Sequence, residues 1–338
     1  MTLTALQRNW PVVALIAALL AGAAAPLVFG LSAPGFYLEV LLGGLMSGVL
    51  YSLVALGFVL IFKASGVFNF AQGAMVLFAA LALARMSEVM PLGIAFVLAI
   101  AIMALFAWLV ERLVLRHLVN QDAVVLLMAT LGVTYFLDGF GQMVWGSDIY
   151  QIETGLPKTP ILVLEKVFDG GILINSEDFV AAAVAGLLVL ALAIFFQKTP
   201  TGRALRAVAD DHQAAQSIGI PLNRIWVIVW TVAGFVALVA GMVWGSKLGV
   251  QFSLSLIALK ALPVVILGGF TSVPGAILGG LIIGVGEKFA EVFLAPIAVQ
   301  QFDLAGGGIE NWFAYVLALL FLLVRPEGLF GDKHIDRV

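Results

Sequence analysis

The chain has 338 residues, of which 62% are apolar and 11% charged, with a net charge of −3 and a mean hydropathy of +1.12. Soluble domains carry about 25% charged residues, so this composition excludes a water-exposed globular protein; the net charge is uninformative, its distribution matters more, and no nucleic-acid partner is expected. Without cysteine there is no disulfide framework, thiolate metal site or cysteine nucleophile, and His117, His212 and His334 are too scattered for a metal centre.

About 30 Å of hydrocarbon takes roughly 20 apolar residues of helix, which leaves room for about eight to ten spans and almost nothing for a soluble domain. Unbroken runs such as 180–196 favour helices over a barrel, whose strands would alternate with a period of two. The predicted fold is all-α, a polytopic transmembrane helical bundle occupying 1–338 as a single domain, with short interrupted membrane helices. Spans are expected at 10–31, 38–62, 67–84, 91–111, 123–145, 179–196, 225–246, 256–270, 274–289 and 311–324.

In chain order, Arg8 and the 10–31 run with Ala23, Ala24 and Ala25 fit a cleaved signal peptide, but the length favours a retained first helix. The 67–84 run is interrupted at its start by the amides Asn69 and Gln72, around Phe70, Ala71 and Gly73. Irregular backbone at membrane depth is tolerated where protein or a watery cavity covers it, so Asn69 and Gln72 are candidate lining residues of a solute path. Asp138 lies in the outer half of its helix and is costly there unless paired or hydrated.

The 146–178 loop holds two lysines against Asp148, Glu153, Glu165, Asp169, Glu177 and Asp178, as an extracytoplasmic loop should. By contrast the 198–224 segment holds Lys198, Arg203, Arg206 and Arg224, and the 112–122 loop holds Arg112 and Arg116, which places both in the cytoplasm. Ten spans then leave both termini cytoplasmic, with Arg8, Arg325, Lys333 and Arg337. Within 198–224, Thr201 can cap a helix on which Ala204, Leu205, Val208, Ala209 and Ala215 recur near helical spacing, so an amphipathic helix or helix pair is expected at the membrane face.

The 256–270 and 274–289 runs are short and broken by Pro263, Gly268, Gly269, Pro274 and Gly275. Their glycines suit either close packing or a cavity, and Gly275 with Gly279 has small-xxx-small spacing. Lys260 could attract a solute carboxylate, snorkel, or pair with Glu287 or Glu291, with a structural or gating role favoured; Glu287, Lys288 and Glu291 are spaced for a surface ion-pair ladder.

The run Gln213-Ala-Ala-Gln-Ser-Ile-Gly219 resembles the EAA loop through which permeases of ABC importers contact their ATPase, with Gln213 where glutamate is usual. Thr201-Gly-Arg203 with Arg206-Ala-Val-Ala209 is similar to the form of that loop in LivH-type permeases of branched-chain amino-acid importers. In the same order come Gly48-Val-Leu-Tyr-Ser-Leu-Val-Ala-Leu-Gly57, Gly66-Val-Phe-Asn-Phe-Ala-Gln-Gly73 with Gln72 where histidine is frequent, Leu259-Lys-Ala-Leu-Pro-Val-Val-Ile-Leu-Gly-Gly269 with Ser272-Val-Pro-Gly-Ala276, and Arg325-Pro-Glu-Gly-Leu-Phe-Gly331.

The resemblance implies an inner-membrane permease that is not an enzyme and translocates an amino acid delivered by a periplasmic binding protein. Its partners would be separate ABC ATPase subunits, a second permease (LivM-like or a second copy) and the lipid bilayer, with no cofactor in this chain and ATP used by the partners. It assigns ATPase coupling to Gly202, Arg203, Arg206, Gln213, Ala214, Ala215 and Gly219, while Asn69, Gln72, Asp138 and Lys260 are the candidate solute-path residues. No lysine follows a glycine, so a P-loop is lacking. Urea and short-chain amide importers use closely similar permeases, and a channel or secondary transporter is the alternative of another class.

Overall fold

A computed structural model describes residues 17–331 apart from 18–20, 23, 29, 31, 67, 119–120, 157, 169, 211 and 303–306. The expected first span lies largely outside the described residues, as do Arg8, Lys333, His334 and Arg337; residues 24–28 are helical. Helices α1 (Pro34–Ser65), α2 (Gln72–Ser87), α3 (Leu92–Leu113) and α4 (Ala123–Trp145) come first. A small hairpin, β1 (Pro160–Val163) and β2 (Ile172–Asn175), follows, then α5 (Ser176–Lys198), α6 (Pro200–Asp210), α7 (His212–Ser217) and α8 (Leu222–Leu248). A 3₁₀ turn at Phe252–Leu256 leads to α9 (Ile257–Gly268), α10 (Val273–Phe289), α11 (Ala295–Phe302) and α12 (Ile309–Val324).

The all-α polytopic bundle is as expected, and among the described residues five helices are long and apolar enough to cross a membrane. The expected spans at 256–270 and 274–289 are instead one pair bent by 116°, while α2 and Asn311–Val324 are shorter apolar helices. The bend follows from the breakers read in the sequence. Gly269 adopts φ +101, open to glycine at little cost, and Ser272 caps α10 by accepting from the Gly275 N–H at 3.1 Å.

Burial separates centre from rim: 72% of the spanning window of α1 and 67% of that of α8 is buried, against 28% for α4 and α5. The centre is held by glycine seams, since in lipid helices associate through close packing rather than through expulsion of water. A Cβ on Gly48 would lie 2.7 Å from Gly280 O, one on Gly44 2.7 Å from Val285 Cα, and one on Gly284 would collide with Gly48. Ser52 completes that seam between α1 and α10 by donating to Gly48 O at 2.8 Å and Ile277 O at 3.1 Å. A Cβ on Gly279 would lie 2.7 Å from Val264 O within the bent pair, so these glycines serve close packing.

The 146–178 segment, read as a loop, contains the antiparallel β1–β2 hairpin with Pro160 opposite Asn175. Glu39 on α1 accepts from Leu173 N–H at 3.0 Å and ties the hairpin down. Asn175 then caps α5, accepting from Glu177 N–H at 3.1 Å, which starts that helix three residues before the expected 179.

Candidate functional site

The 198–224 segment is built from the end of α5. Thr199 is extended and its hydroxyl accepts from the Gly202 N–H at 3.0 Å, so Thr199, not Thr201, caps α6. Pro200 explains the choice: it takes the first helical position, where its missing N–H costs nothing, and Thr199 is the cap in front of it. Gly202 is buried where any Cβ would collide with the Phe196 carbonyl. Arg206 donates to the carbonyls of Phe196 and, at 3.3 Å, Gln197, neutralising the C-terminal end of α5. Thus Gly202 and Arg206 fasten α6 onto α5, while Arg203 is exposed and, among the described residues, reaches only Lys198 O, at 3.4 Å.

The inward stripe of α6 is Leu205 and Val208, 1% and 0% exposed, set against α1 and α8. Gln213, Ala214 and Ala215 continue on α7, where Ala215 is buried and Ala214 faces outward. The helix ends in a Schellman turn: Ile220 N–H reaches Ala215 O at 3.0 Å, Gly219 N–H reaches Gln216 O at 3.0 Å, and Gly219 has φ +88. That geometry needs glycine for its backbone, since a Cβ at Gly219 would meet nothing within 4 Å. The turn pushes Ile218 out to 74% exposure, an apolar tip that the sequence reading did not single out.

Several other pieces converge on the same end of the bundle. Trp226 on α8 donates to Ala64 O at 3.2 Å, and Lys63 Nζ donates to Thr271 O, in the bend between α9 and α10, at 3.1 Å. The closing 325–331 motif covers the last carbonyls of α9, with Leu329 N–H on Leu267 O at 2.8 Å and Phe330 N–H on Gly268 O at 3.1 Å. A cleft of about 220 Å³ lies between Lys63, Arg206 and the Thr271–Pro274 stretch. The 198–224 segment, the bend and the 325–331 tail therefore share one side of the molecule. At the other end Asp178 and Lys247 form an ion pair that ties α5 to α8, and Lys247 sits 5.7 Å from the Trp244 ring.

Asn69 and Gln72 are both fully buried. Asn69 Oδ1 accepts from Ala71 N–H at 3.1 Å, shaping the turn into α2, whereas among the described residues neither amide atom of Gln72 has a hydrogen-bond partner. The Gln72 amide occupies the space a Cβ of Gly57 would fill, and Gly73 next to it abuts Ser255 and Ala258. With 12 residues at 1.5 Å each, α9 begins about 18 Å from the bend, well short of a full crossing. The start of α2 thus meets the start of a half-length helix inside the bundle.

Lys260, one turn into α9, pairs with Glu287 on α10 at 3.0 Å, with side-chain exposures of 38% and 10%. Of the expected ladder, among the described residues Lys288 near the end of α10 pairs with Glu291, just beyond that helix, at 2.8 Å, while Glu287 is turned toward Lys260. Asp138 stands apart on α4, its Oδ1 buried without a partner; among the described residues no hydrogen bond or ion pair joins it to Gln72 or Lys260.

Residues 40–325 match the family described as "Branched-chain amino acid transport system / permease component". The chain is 28% identical over 325 residues to the high-affinity branched-chain amino acid transport system permease protein LivH of Escherichia coli K12, covering 90% of this chain and 98% of that one. It is 29% identical over 314 residues to the permease protein BraD of Pseudomonas aeruginosa, covering 89% and 98%. A probable LivH of Methanocaldococcus jannaschii is 28% identical over 303 residues, covering 86% and 92%.

Proposed function

The chain belongs to the branched-chain amino acid transport permease family, and from that premise we propose that it conducts branched-chain or closely related amino acids inward across the bacterial inner membrane. The match over 40–325 carries this reading, because it embraces the coupling segment, the broken helices and the bend together. A binding protein delivers the solute from outside, separate ATPase subunits supply the energy, and a second permease, LivM-like or another copy, completes the pore. The end bearing α6 and α7 faces the cytoplasm, with the 325–331 tail on the same side.

In this reading Ala214, Ile218 and Gly219 present the surface that seats in the ATPase, with Arg203 at its edge. Movement of α7 passes through α6, which Gly202 and Arg206 hold rigidly to α5, and through Leu205 and Val208 to α1 and α8. Gln213 contributes from the same turn of α7. Gln72 and Lys260 meet the solute where α2 and α9 begin: an amide buried without partners costs about 1–3 kcal/mol, and a passing polar solute supplies the missing hydrogen bonds. Lys260 exchanges Glu287 for the solute carboxylate as the path opens, and Asn69 shapes the turn that presents Gln72. Asp138 borders the route from the α4 side.

The test is uptake by the complete assembly in vesicles. ATP-dependent accumulation of labelled leucine with none of urea is expected; accumulation of urea, or leucine uptake by this chain without partner subunits, contradicts it.

A further inference from the structure

The cleft beside the coupling segment has a chemistry that coupling alone does not require. Its two cations, Lys63 and Arg206, are half-buried, and among the described residues neither has a carboxylate partner. Each donates only to main-chain carbonyls, Lys63 to Thr271 and Arg206 to Phe196 and Gln197, which leaves N–H donors on both to spare. Two like charges lining one small space repel, and an anion between them relieves that cost while accepting from both. The amino-terminal end of α10, at Ser272 and Val273, adds its positive helix dipole to the same wall.

The remaining lining is apolar, notably Leu60, Phe196, Val273 and Phe330. Free phosphate has no use for such walls, whereas a phospholipid presents a phosphate next to hydrocarbon. The cleft also lies where α1 and α5 end, and α5 is a rim helix with only 28% of its spanning window buried. Its volume of about 220 Å³ falls below that of typical small-molecule pockets and suits a headgroup rather than a whole lipid. Basic pockets between membrane helices at the cytoplasmic face are suited to anionic headgroups.

We propose that this cleft binds the phosphate-bearing headgroup of an anionic phospholipid of the cytoplasmic leaflet, clamped between Lys63 on α1 and Arg206 on α6. The lipid then bridges the coupling helix and the α9–α10 bend. The inference uses the end assignment proposed above, but it is read in detergent, where both faces are accessible, so its failure and that of the transport reading are separable.

The full chain, freed of native lipid, is titrated with dihexanoyl phosphatidylglycerol, dihexanoyl phosphatidylcholine and inorganic phosphate, and occupancy is read by native mass spectrometry. Phosphatidylglycerol should bind, and its affinity should fall on the order of tenfold in Lys63→Gln and in Arg206→Gln, but not in Lys198→Gln, which removes an exposed cation nearby. Lys63→Gln carries the test should Arg206→Gln fail to fold. Equal affinity in the Lys63 and Arg206 variants, or equal binding of phosphatidylcholine, overturns the site. Inorganic phosphate binding as tightly as phosphatidylglycerol assigns the cleft to a free anion and overturns the lipid. Loss of the lipid when the ATPase subunits assemble assigns it to a partner's carboxylate and overturns it as well.

Discussion

Lys260 Nζ lies 3.0 Å from Glu287 Oε1, an ion pair that joins the two arms of the bent α9–α10 pair away from their turn. One partner is nearly enclosed and the other partly open, so the pair ranks between an exposed bridge, worth about 0–1 kcal/mol, and a buried one, whose breaking costs about 3–5 kcal/mol. Lys260→Met leaves Glu287 alone and should lower thermal stability in detergent, and Lys260→Met with Glu287→Leu should recover most of it. Uptake should stay lost in the double variant if Lys260 also meets the solute; restored uptake assigns the pair to structure alone.

Gln72→Leu and Asn69→Leu should part company. Gln72 has no partners to lose, so leucine there should leave the melting temperature unchanged or raised while ATP-driven uptake falls at least about tenfold. Asn69→Leu removes the acceptor for Ala71 N–H and should cost about 1 kcal/mol of stability. Unchanged uptake kinetics in Gln72→Leu remove it from the solute path.

The seam between α1 and α10 admits no side chain. Gly284→Ala forces a methyl into the backbone of Gly48 and should destabilise by about 1–3 kcal/mol, because neither helix can yield locally. Gly286→Ala meets side chains alone, the Phe313 ring edge at 3.1 Å and Leu317 at 3.6 Å, and should cost less, as read by thermal unfolding of both variants in one detergent.

Glycine is required at 219 by the φ of +88 rather than by lack of room. Gly219→Asn, tolerant of the left-handed region, should keep solute-stimulated ATP hydrolysis in the reconstituted assembly, whereas Gly219→Val, strained by about 1–2 kcal/mol there, should lose it. Equal loss in both points to a contact at this position instead of a turn.

Much of this arrangement was legible in the chain itself. Apolar runs of helix length located the five long helices but read the bent α9–α10 pair as two separate spans, while Gly269, Pro274 and Gly275 marked where it breaks, because breakers act locally. Lysine and arginine bias singled out the 198–224 segment for the same reason. What stayed hidden depends on residues far apart in sequence. Gly44 and Gly48 carry the spacing of a packing face, but nothing along the chain says that Gly280 and Gly284 face them. Spacing offered Lys260 both Glu287 and Glu291, and only the approach of α9 to α10 selects the first. The cap at Thr199 turned on which of two threonines flanking Pro200 precedes the helix, and Ile218 became notable only when the Gly219 turn pushed it out.

The natural chain has no cysteine, so a single thiol can be placed without altering the background. Ile218→Cys on the exposed tip of α7 and Leu162→Cys on the hairpin, 52% exposed, lie on opposite sides of the bundle in the proposed orientation. In the assembled importer, thiol-directed cross-linking should join Ile218→Cys to the ATPase subunit, with a yield that changes on ATP binding, and should leave Leu162→Cys free of it. A cross-link from Leu162→Cys to the ATPase, or none from Ile218→Cys in an assembly that still transports, would contradict coupling through α6 and α7.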